Sequence, residues 1–459
     1  MTRLKLRDRA ASLLDTVFVS LKHRDFRIFW TGQCVSLLGT WMQRTALMWL
    51  VYTMTDSPFL VGLVGVAQFM PMLLFTLFAG AIVDRFPKRK IIIVTQSLLM
   101  VQAVALAALA FSGSAEYWQL LTLCVFLGIT TTIDVPARLS FFVYLVGKDD
   151  VMNAVSLNSS IVNLARIVGP ALAGAVMMEF GAGVCFLLNA VSFLAVLYSL
   201  TRLRTQEPRA LPAAEKRSVV REVFEGVDYI RRDETLAINA TILAVVCTFA
   251  LNGEVMAPVF ADTVLGMGAG AYTGMLSAMG AGSLAGAMTM ASIAKRGEKK
   301  WLLPAGAAAT LLMHLLMLFA WSRGAAYLLV AAIGYFNLVF LNAGNSIFQV
   351  HTPDEYRGRV MSVYTFLSQG SLPLGNFFAG SVMQSFGGWA GYPSCGLAAA
   401  LLLFVFLRKK RENAARLVRP GRRAEGLSFA AAAQNGGAAR SAYKKPPLSR
   451  EIAERRLSS

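Results

Sequence analysis

Apolar stretches of about 20 residues recur along almost the whole sequence. A helix of that length crosses the roughly 30 Å hydrocarbon core of a bilayer. The stretches are continuously apolar rather than alternating, which favours helices over the strands of a membrane barrel. We predict an all-α membrane protein with twelve transmembrane helices, over residues 28–54, 59–83, 91–111, 118–141, 153–178, 183–203, 235–260, 271–294, 301–321, 325–349, 359–385 and 389–407.

Positive charge is concentrated at one set of span ends. The chain has 44 Lys and Arg against 26 Asp and Glu, a formal charge of +18. With these spans, 41 of the 44 basic residues lie at the ends that both termini share; Arg323 lies at the opposite ends, and Arg44 and Arg166 lie inside spans. The positive-inside rule then predicts a multi-pass protein of the cytoplasmic (inner) membrane with both termini cytoplasmic.

The spans fall into two halves of six. Residues 149–181 align without gaps on 355–387, and the aligned pairs include Gly169/Gly375 and Gly181/Gly387. These segments are spans five and eleven, so the repeat is parallel, with its axis along the membrane normal. The predicted organisation is a cytoplasmic N-terminal segment 1–27, a six-helix bundle 28–203, a cytoplasmic interbundle loop 204–234, a second bundle 235–407 and a basic disordered tail 408–459.

Several motifs accompany this pattern. Gly80-Ala-Ile-Val-Asp84-Arg85 precedes the basic cluster Lys88-Arg89-Lys90. The other motifs are Gly39-Thr-Trp-Met-Gln43, Asp134-x-Pro136-Ala-Arg138, Asn153-Ala-Val-Ser-Leu-Asn158, Ala165-Arg166-Ile-Val-Gly169-Pro170 and Arg357-Gly-Arg359-Val-Met-Ser362. Over residues 20–407 the chain resembles the major facilitator superfamily, and within it the exporter branch that includes the enterobactin exporter and macrolide efflux proteins.

The resemblance implies two six-helix bundles around a central cavity, which spans one, four, seven and ten line. It also implies a latch between the halves in the outward-facing state, formed where span two ends and span eleven begins. The gating candidates are Gly80, Asp84, Arg85, Arg138, Arg357 and Arg359. Ala294 stands where Asp84 would map in the second half, so a symmetrical latch is not expected.

Four charged residues lie well inside the predicted spans, away from the span ends. An unpaired Arg near the bilayer centre costs at least about 2.5 kcal/mol, so Arg44 and Arg166 should face a cavity or a partner. Each could bind an anionic substrate, or form a structural pair with Glu254. Glu254 is the first candidate for proton coupling because it has no cationic neighbour one turn away. Asp134 is the second, although Arg138 at i+4 favours a structural role.

Amide side chains complete the predicted substrate site. The candidates are Gln43, Asn337, Asn342 and Asn345. They could bind a polar substrate in the cavity, or they could join helices by hydrogen bonds worth about 0.6 kcal/mol each. His314 is a lone histidine in span nine, and a satisfied polar residue is the favoured interpretation.

The sequence argues against other classes of protein. It has no Walker A, HExxH or GxSxG motif, and its five cysteines and three histidines form no metal-like spacing, so we expect no enzyme, cofactor or metal. Nucleic-acid binding is not expected either, since no aromatic-interleaved fold accompanies the basic tail. The expected partners are a small-molecule substrate, protons and the lipid bilayer, and these features are compatible with a monomer.

The sequence therefore predicts a secondary transporter that exports a small amphiphilic molecule, a siderophore-like compound or a drug, by proton antiport and alternating access. Two alternatives stay open. One is an importer of a siderophore, nutrient or lysophospholipid with the same fold. The other is a non-transporting membrane sensor or scaffold, which the costly charges inside the spans argue against.

Overall fold

The computed structural model describes residues 18–205, 219–294 and 299–410, excepting the side chains of residues 77, 78, 81, 84, 219–222, 294 and 354. Residues 1–17, 206–218 and 411–459, which the sequence assigns to the N-terminal segment, the interbundle loop and the tail, lie outside the described residues.

The first half contains six long helices. They are α1 (Arg24–Thr55), α2 (Pro58–Arg85), α3 (Lys88–Ser112), α4 (117–146), α5 (148–180) and α6 (Ala182–Arg202). Helices α4 and α5 form one helical run, Tyr117–Phe180, which is interrupted at Gly147. The backbone of Gly147 has a φ of 79°, a non-helical conformation that glycine adopts at little cost. Helix α7 (Val219–Arg232) follows the first half.

The second half again supplies six spans, of which two are broken. Its helices are α8 (Glu234–Ala250), α9 (Gly253–Thr263), α10 (Gly268–Ala294), α11 (Leu302–Leu316), α12 (Arg323–Val350), α13 (Asp354–Gln369), α14 (Leu372–Phe386) and α15 (391–410). Helices α8 and α9 together form span seven, and α13 and α14 together form span eleven.

Most of these helices are apolar enough to cross a bilayer. Nine helical runs among the described residues meet the length and composition of a membrane span, and the 64-residue run contains two of the predicted spans. Spans one and eleven fall short of this composition because polar side chains enter them. The predicted all-α fold of twelve spans is confirmed.

The two bundles share a hydrophobic core only toward one end of their helices. We call the ends where α2 stops and α3 begins, at Arg85 and Lys88, the basic face, and the opposite ends the far face. The largest hydrophobic cluster joins both bundles toward the far face and contains Tyr52, Tyr272 and Tyr392. Toward the basic face each bundle has a cluster of its own. The bundles are therefore packed together at the far face.

The internal repeat is visible in the backbone. Helix α5 ends at Gly181 with φ 78° and ψ 174°, and α14 ends at Gly387 with φ 91° and ψ 162°. These are aligned positions of the repeat, and both use a conformation that glycine adopts readily. The two segments therefore end alike as well as matching in sequence.

Helix α7 packs on the start of α13. Glu225 pairs with Arg359 at 2.9 Å, and the rings of Tyr229 and Tyr356 stack with centroids 5.0 Å apart. Ile230 is buried in the core of the second bundle. This part of the predicted interbundle loop is therefore a helix that packs against the second bundle.

The start of α1 is tied to the end of the first bundle. The Asp25 carboxylate accepts hydrogen bonds from the backbone N–H of Arg204 and from the N–H and hydroxyl of Thr205, over 2.6–2.9 Å. Burial raises the pKa of Asp25, but these donors outweigh burial and hold the pKa below its usual value.

Candidate substrate and proton site

An ion pair joins the two bundles between spans one and seven. Arg44 projects from α1, and Glu254 is the second residue of α9. Arg44 Nε lies 2.5 Å from Glu254 Oε2, and about a quarter of each side chain is exposed. The pair therefore neutralises two charges that would be costly inside a membrane if each stood alone.

Trp41 lies beside both membrane arginines. The guanidinium carbon of Arg44 is 5.4 Å from the centroid of the Trp41 ring, and that of Arg166 is 5.1 Å from it. Phe69 contacts Arg44 in the same way at 4.9 Å. A Cβ at Gly169 would collide with the Cβ of Trp41, so this glycine allows α5 to approach α1 closely at Trp41. Cation–π attraction thus helps to hold two like charges close together.

The site has one more positive charge than negative. Arg166 interacts electrostatically with both Arg44 and Glu254, but within the described residues no carboxylate lies within ion-pair distance of it. The pocket around the three charged groups has a volume of about 10 Å³, room for about one water molecule. Tyr272 closes its far-face side by donating to the Thr45 carbonyl at 3.2 Å. The pocket must enlarge to admit a substrate.

Two of the predicted amides line a separate cavity. Asn342 and Asn345 face a cavity of about 420 Å³ between the basic-face ends of α10 and α12. The side-chain amide of Gln349 donates to Asn345 Oδ1 at 2.6 Å. This cavity lies nearer the basic face than the Arg44–Glu254 pair.

The other two amides lie away from both cavities. Gln43 is buried within the first bundle, where it donates to Gln102 at 3.0 Å and accepts from Asn189 at 2.8 Å. The NH₂ group and the oxygen of its side-chain amide therefore both have hydrogen-bond partners within the bundle. Asn337 donates to the Ala250 carbonyl at 3.4 Å, at the break in span seven.

Asp134 belongs to a buried network inside the first bundle. Its Oδ2 lies 2.7 Å from Arg138 Nε, and its Oδ1 accepts from Thr95 at 2.6 Å and Gln96 at 3.0 Å. Arg138 also donates to Gln33 at 2.7 Å. This arrangement fits the structural interpretation of Asp134, and it places Arg138 away from the ends of spans two and eleven.

The remaining gating candidates lie at the basic face. Gly80 is in α2 with open space where a Cβ would be, and Arg85 ends that helix exposed to solvent. The side chain of Asp84 lies outside the described residues. Arg357 is exposed, and Arg359 pairs with Glu225 of α7.

Sequence reasoning missed three features of the site: the aromatic platform of Trp41, the closure by Tyr272 and the break in span seven. Trp41 lies three residues before Arg44, one helical turn away, and that spacing could have placed it beside the arginine. The Asn252-Gly253 dipeptide is a turn signal that could have indicated the break.

Comparisons with known proteins now identify the family. The family profile described as transmembrane secretion effector matches residues 15–435. The chain belongs to this family of the major facilitator superfamily. Its relatives are transporters, as the sequence predicted.

Curated relatives include a siderophore transporter and drug efflux proteins. The staphyloferrin A transporter of Staphylococcus aureus is 24% identical over 411 residues, covering 83% of this chain and 95% of its own. The multidrug efflux pump Tap of Mycolicibacterium fortuitum is 24% identical over 400 residues, covering 82% and 93%. Macrolide efflux protein A of Streptococcus pyogenes is 22% identical over 213 residues, covering 46% and 52%.

Solved transporter structures share the fold. A POT family transporter in complex with a thioalcohol-conjugated peptide superposes with a TM-score of 0.68 at 13% identity, covering 85% of this chain and 96% of that one. A bacterial homologue of the lysosomal transporter Spinster, inward-facing and unoccupied, gives 0.64 at 14% identity, covering 83% and 95%. At these identities the likeness concerns the fold alone.

Proposed function

We propose that this transporter exports a small amphiphilic molecule, a siderophore-like compound or a drug, across the cytoplasmic membrane by proton antiport and alternating access. The observation that carries the proposal is the Arg44–Glu254 pair, which links spans one and seven of opposite bundles at a pocket. Similarity to the efflux pump Tap, the macrolide efflux protein and the staphyloferrin A transporter supports these substrate classes.

We place the basic face in the cytoplasm. The 41 basic residues at the ends shared with the termini support this orientation through the positive-inside rule. The bundles are joined at the far face, so in this orientation substrate approaches the pocket from the cytoplasm. The six-helix bundles are the moving bodies, and 204–234 connects them.

Glu254 is the proposed proton site. When its carboxyl is protonated, it no longer holds Arg44 by charge, so the bundles lose a link across the pocket. Arg44 and Arg166 would bind an anionic substrate and Glu254 a cationic one, and Asn342 and Asn345 would contact either on the way from the cytoplasm. The donors and the arginine around Asp134 support a structural role there, which favours Glu254 over Asp134 for coupling.

The latch that the family resemblance implies is also part of the proposal. In the outward-facing state, span two around Asp84 and Arg85 meets span eleven around Arg357 and Arg359. The Arg359–Glu225 pair supports a change of partners, since Arg359 must leave α7 before it joins such a latch.

The charge of the substrate decides whether substrate and proton move in opposite directions or in the same direction. A cationic substrate that binds Glu254 competes with the proton for one carboxylate, and that competition is what antiport requires. An anionic substrate that binds Arg44 displaces the Glu254 carboxylate from the ion pair. Without its cationic partner, the carboxylate then takes up a proton. Proton and anion would bind together, so the pair also favours a second function, the proton-coupled import of an anionic siderophore or nutrient.

Flux into everted vesicles tests the proposal. Respiration acidifies the vesicle interior, so antiport should accumulate a labelled cationic amphiphile such as ethidium, and a protonophore should abolish the uptake. E254Q removes the carboxylate for which this cation and the proton compete, so it should lose the gradient-driven flux. Accumulation by E254Q equal to wild type would remove Glu254 as the coupling site.

The same vesicles distinguish the alternatives. Expulsion of preloaded citrate, a polycarboxylate, by the acid interior would support import in cells. Absence of any gradient-dependent flux for a panel of labelled cations, anions and neutral amphiphiles would support a sensor or scaffold.

A further inference from the structure

Two polar contacts join helices α1 and α9, which belong to opposite bundles. The inner contact is the Arg44–Glu254 ion pair. In the outer contact the Tyr52 hydroxyl donates to Asp262 Oδ2 at 3.1 Å. Tyr52 follows Arg44 by eight residues, and Asp262 follows Glu254 by eight residues. Both helices run toward the far face, so the two contacts share one register and lie about 12 Å apart along the helices.

The interface between these two contacts is apolar and buried. Helix α1 contributes Met48 and Val51, and α9 contributes Val255 and Val259. None of these four side chains is more than 1% exposed. Water that approached Glu254 from the far face along this interface would have to cross the packed region.

The outer contact lies where this packed region meets solvent. Tyr52 is 2% exposed, whereas Asp262 is an exposed residue near the end of α9. The bundles cannot part here without breaking the hydrogen bond, because its donor belongs to the first bundle and its acceptor to the second. Once they part, water can hydrate both groups, and this exchange reduces the cost of opening. The contact therefore favours the closed far face and still allows it to open.

A further contact between the bundles lies elsewhere on the far face. Gln384 of α14 accepts from the Ser57 hydroxyl at 2.8 Å and from the Phe59 N–H at 3.3 Å, at the start of α2. The Tyr52–Asp262 bond differs from it in position, since it joins the same two helices as the Arg44–Glu254 pair. Loss of one such contact should shift the population of open molecules rather than open every molecule.

We propose that Tyr52 and Asp262 form an outer gate for Glu254, and that their hydrogen bond must break before a proton enters from the far face. While the bond is intact, Glu254 exchanges protons with the cytoplasm alone. The inference rests on the proposed role of Glu254 as the proton site and on alternating access. It assigns Asp262 to gating, and the proton is still carried by Glu254.

Pulsed electron spin resonance of the purified protein in lipid nanodiscs measures the opening. Spin labels are attached to S114C and G324C, which lie at exposed far-face positions of the first and second bundle. C34A removes the native cysteine that is not buried, and the other four are buried. Opening of the far face should appear as a second, longer distance between the two labels.

Variants of the outer contact should increase the population with the longer distance. Y52F removes the donor and D262A removes the acceptor, and each should raise the ratio of longer to shorter distance about threefold to tenfold. D262N keeps an oxygen acceptor without the charge, so it should give a smaller rise. Labels on K90C and E355C at the basic face should come closer in the same variants, since the bundles move as bodies.

A matched tyrosine serves as the control. The Tyr117 hydroxyl donates to the Leu60 carbonyl at 3.0 Å, and both residues belong to the first bundle. Y117F thus removes the same chemical group and a similar hydrogen bond without touching the interface between the bundles. It should leave both label distances as in the wild type.

The outcomes separate the outer gate from the proposed function. A wild-type ratio in Y52F and D262A, an equal rise in Y117F, or a far-face change without the basic-face change would overturn the gate. If D262A does not fold, Y52F and D262N decide. E254Q breaks the inner contact, so a longer far-face distance in E254Q alone would overturn the gate and leave alternating access standing. Absence of the longer distance from every variant, E254Q included, would overturn alternating access and the gate together.

Discussion

The Arg44–Glu254 pair predicts an asymmetric double-mutant cycle of stability. In E254Q, Arg44 and Arg166 would both keep their charges with no carboxylate among their described neighbours. In R44Q, Glu254 would still have Arg166 within electrostatic reach. We therefore expect E254Q to destabilise the protein more than R44Q, and the double variant to recover part of the loss.

The magnitude follows from the charge separation and the exposure. Two unit charges 4 Å apart interact by about 4 kcal/mol at an effective dielectric constant of 20. Each side chain of the pair keeps about a quarter of its surface exposed, so solvent screening reduces this to a coupling energy of about 1–3 kcal/mol. We expect losses of about 1–2 kcal/mol for R44Q and about 2–4 kcal/mol for E254Q, since breaking a buried pair costs about 3–5 kcal/mol.

Unfolding in mixed micelles with increasing dodecyl sulfate measures these energies. A fluorogenic thiol reagent reports unfolding, because Cys124, Cys185, Cys247 and Cys395 are buried in the folded protein. N342A serves as the control, since Asn342 lines the separate cavity. Strictly additive effects in the double variant would refute the coupling, and equal losses for the two single variants would refute the role given to Arg166.

Three further predictions concern orientation, the first bundle and the closed far face. In intact cells an impermeant thiol reagent should label a cysteine at Ser114 and not one at Glu355, both exposed positions; the reverse pattern would invert the proposed topology. D134N should cost about 3–5 kcal/mol by stranding its buried arginine partner, and the pH dependence of flux in the surviving protein should be unchanged. G174V places a side chain against Thr273 between α5 and α10, so it should increase thiol labelling, from outside, of a cysteine introduced at Thr45 in the pocket, and unchanged labelling would count against far-face closure.

The sequence predicted the features that depend on hydrophobic length and on charge placement. Twelve spans follow from apolar stretches long enough to cross a bilayer, and the backbone repeats the likeness of spans five and eleven at Gly181 and Gly387. Such features need no knowledge of how each helix is rotated. The breaks in spans seven and eleven were not predicted, because each interrupts a span by only two residues, 251–252 and 370–371, and leaves the total length of the span unchanged.

The direction of each polar side chain could not be predicted from its span. Successive helix residues point about 100° apart, so neighbours on one span face different surroundings. Gln43 and Arg44 are adjacent in the sequence, yet Gln43 joins α1 to α3 and α6, while Arg44 reaches the other bundle. Only the packing of the helices decides which of the two can meet a substrate.

The two halves of the site are attached to different bodies, and this has a consequence for coupling. Glu254 belongs to span seven of the second bundle, whereas Arg44 and Arg166 belong to the first. Any movement of one bundle against the other must therefore change the distance between the carboxylate and the arginines. Doubling the separation of two charges halves their Coulomb attraction, so the screened coupling of about 1–3 kcal/mol would fall by about half. Under the proposed alternating access, the proton occupancy of Glu254 then differs between the two states without any further proton-carrying residue.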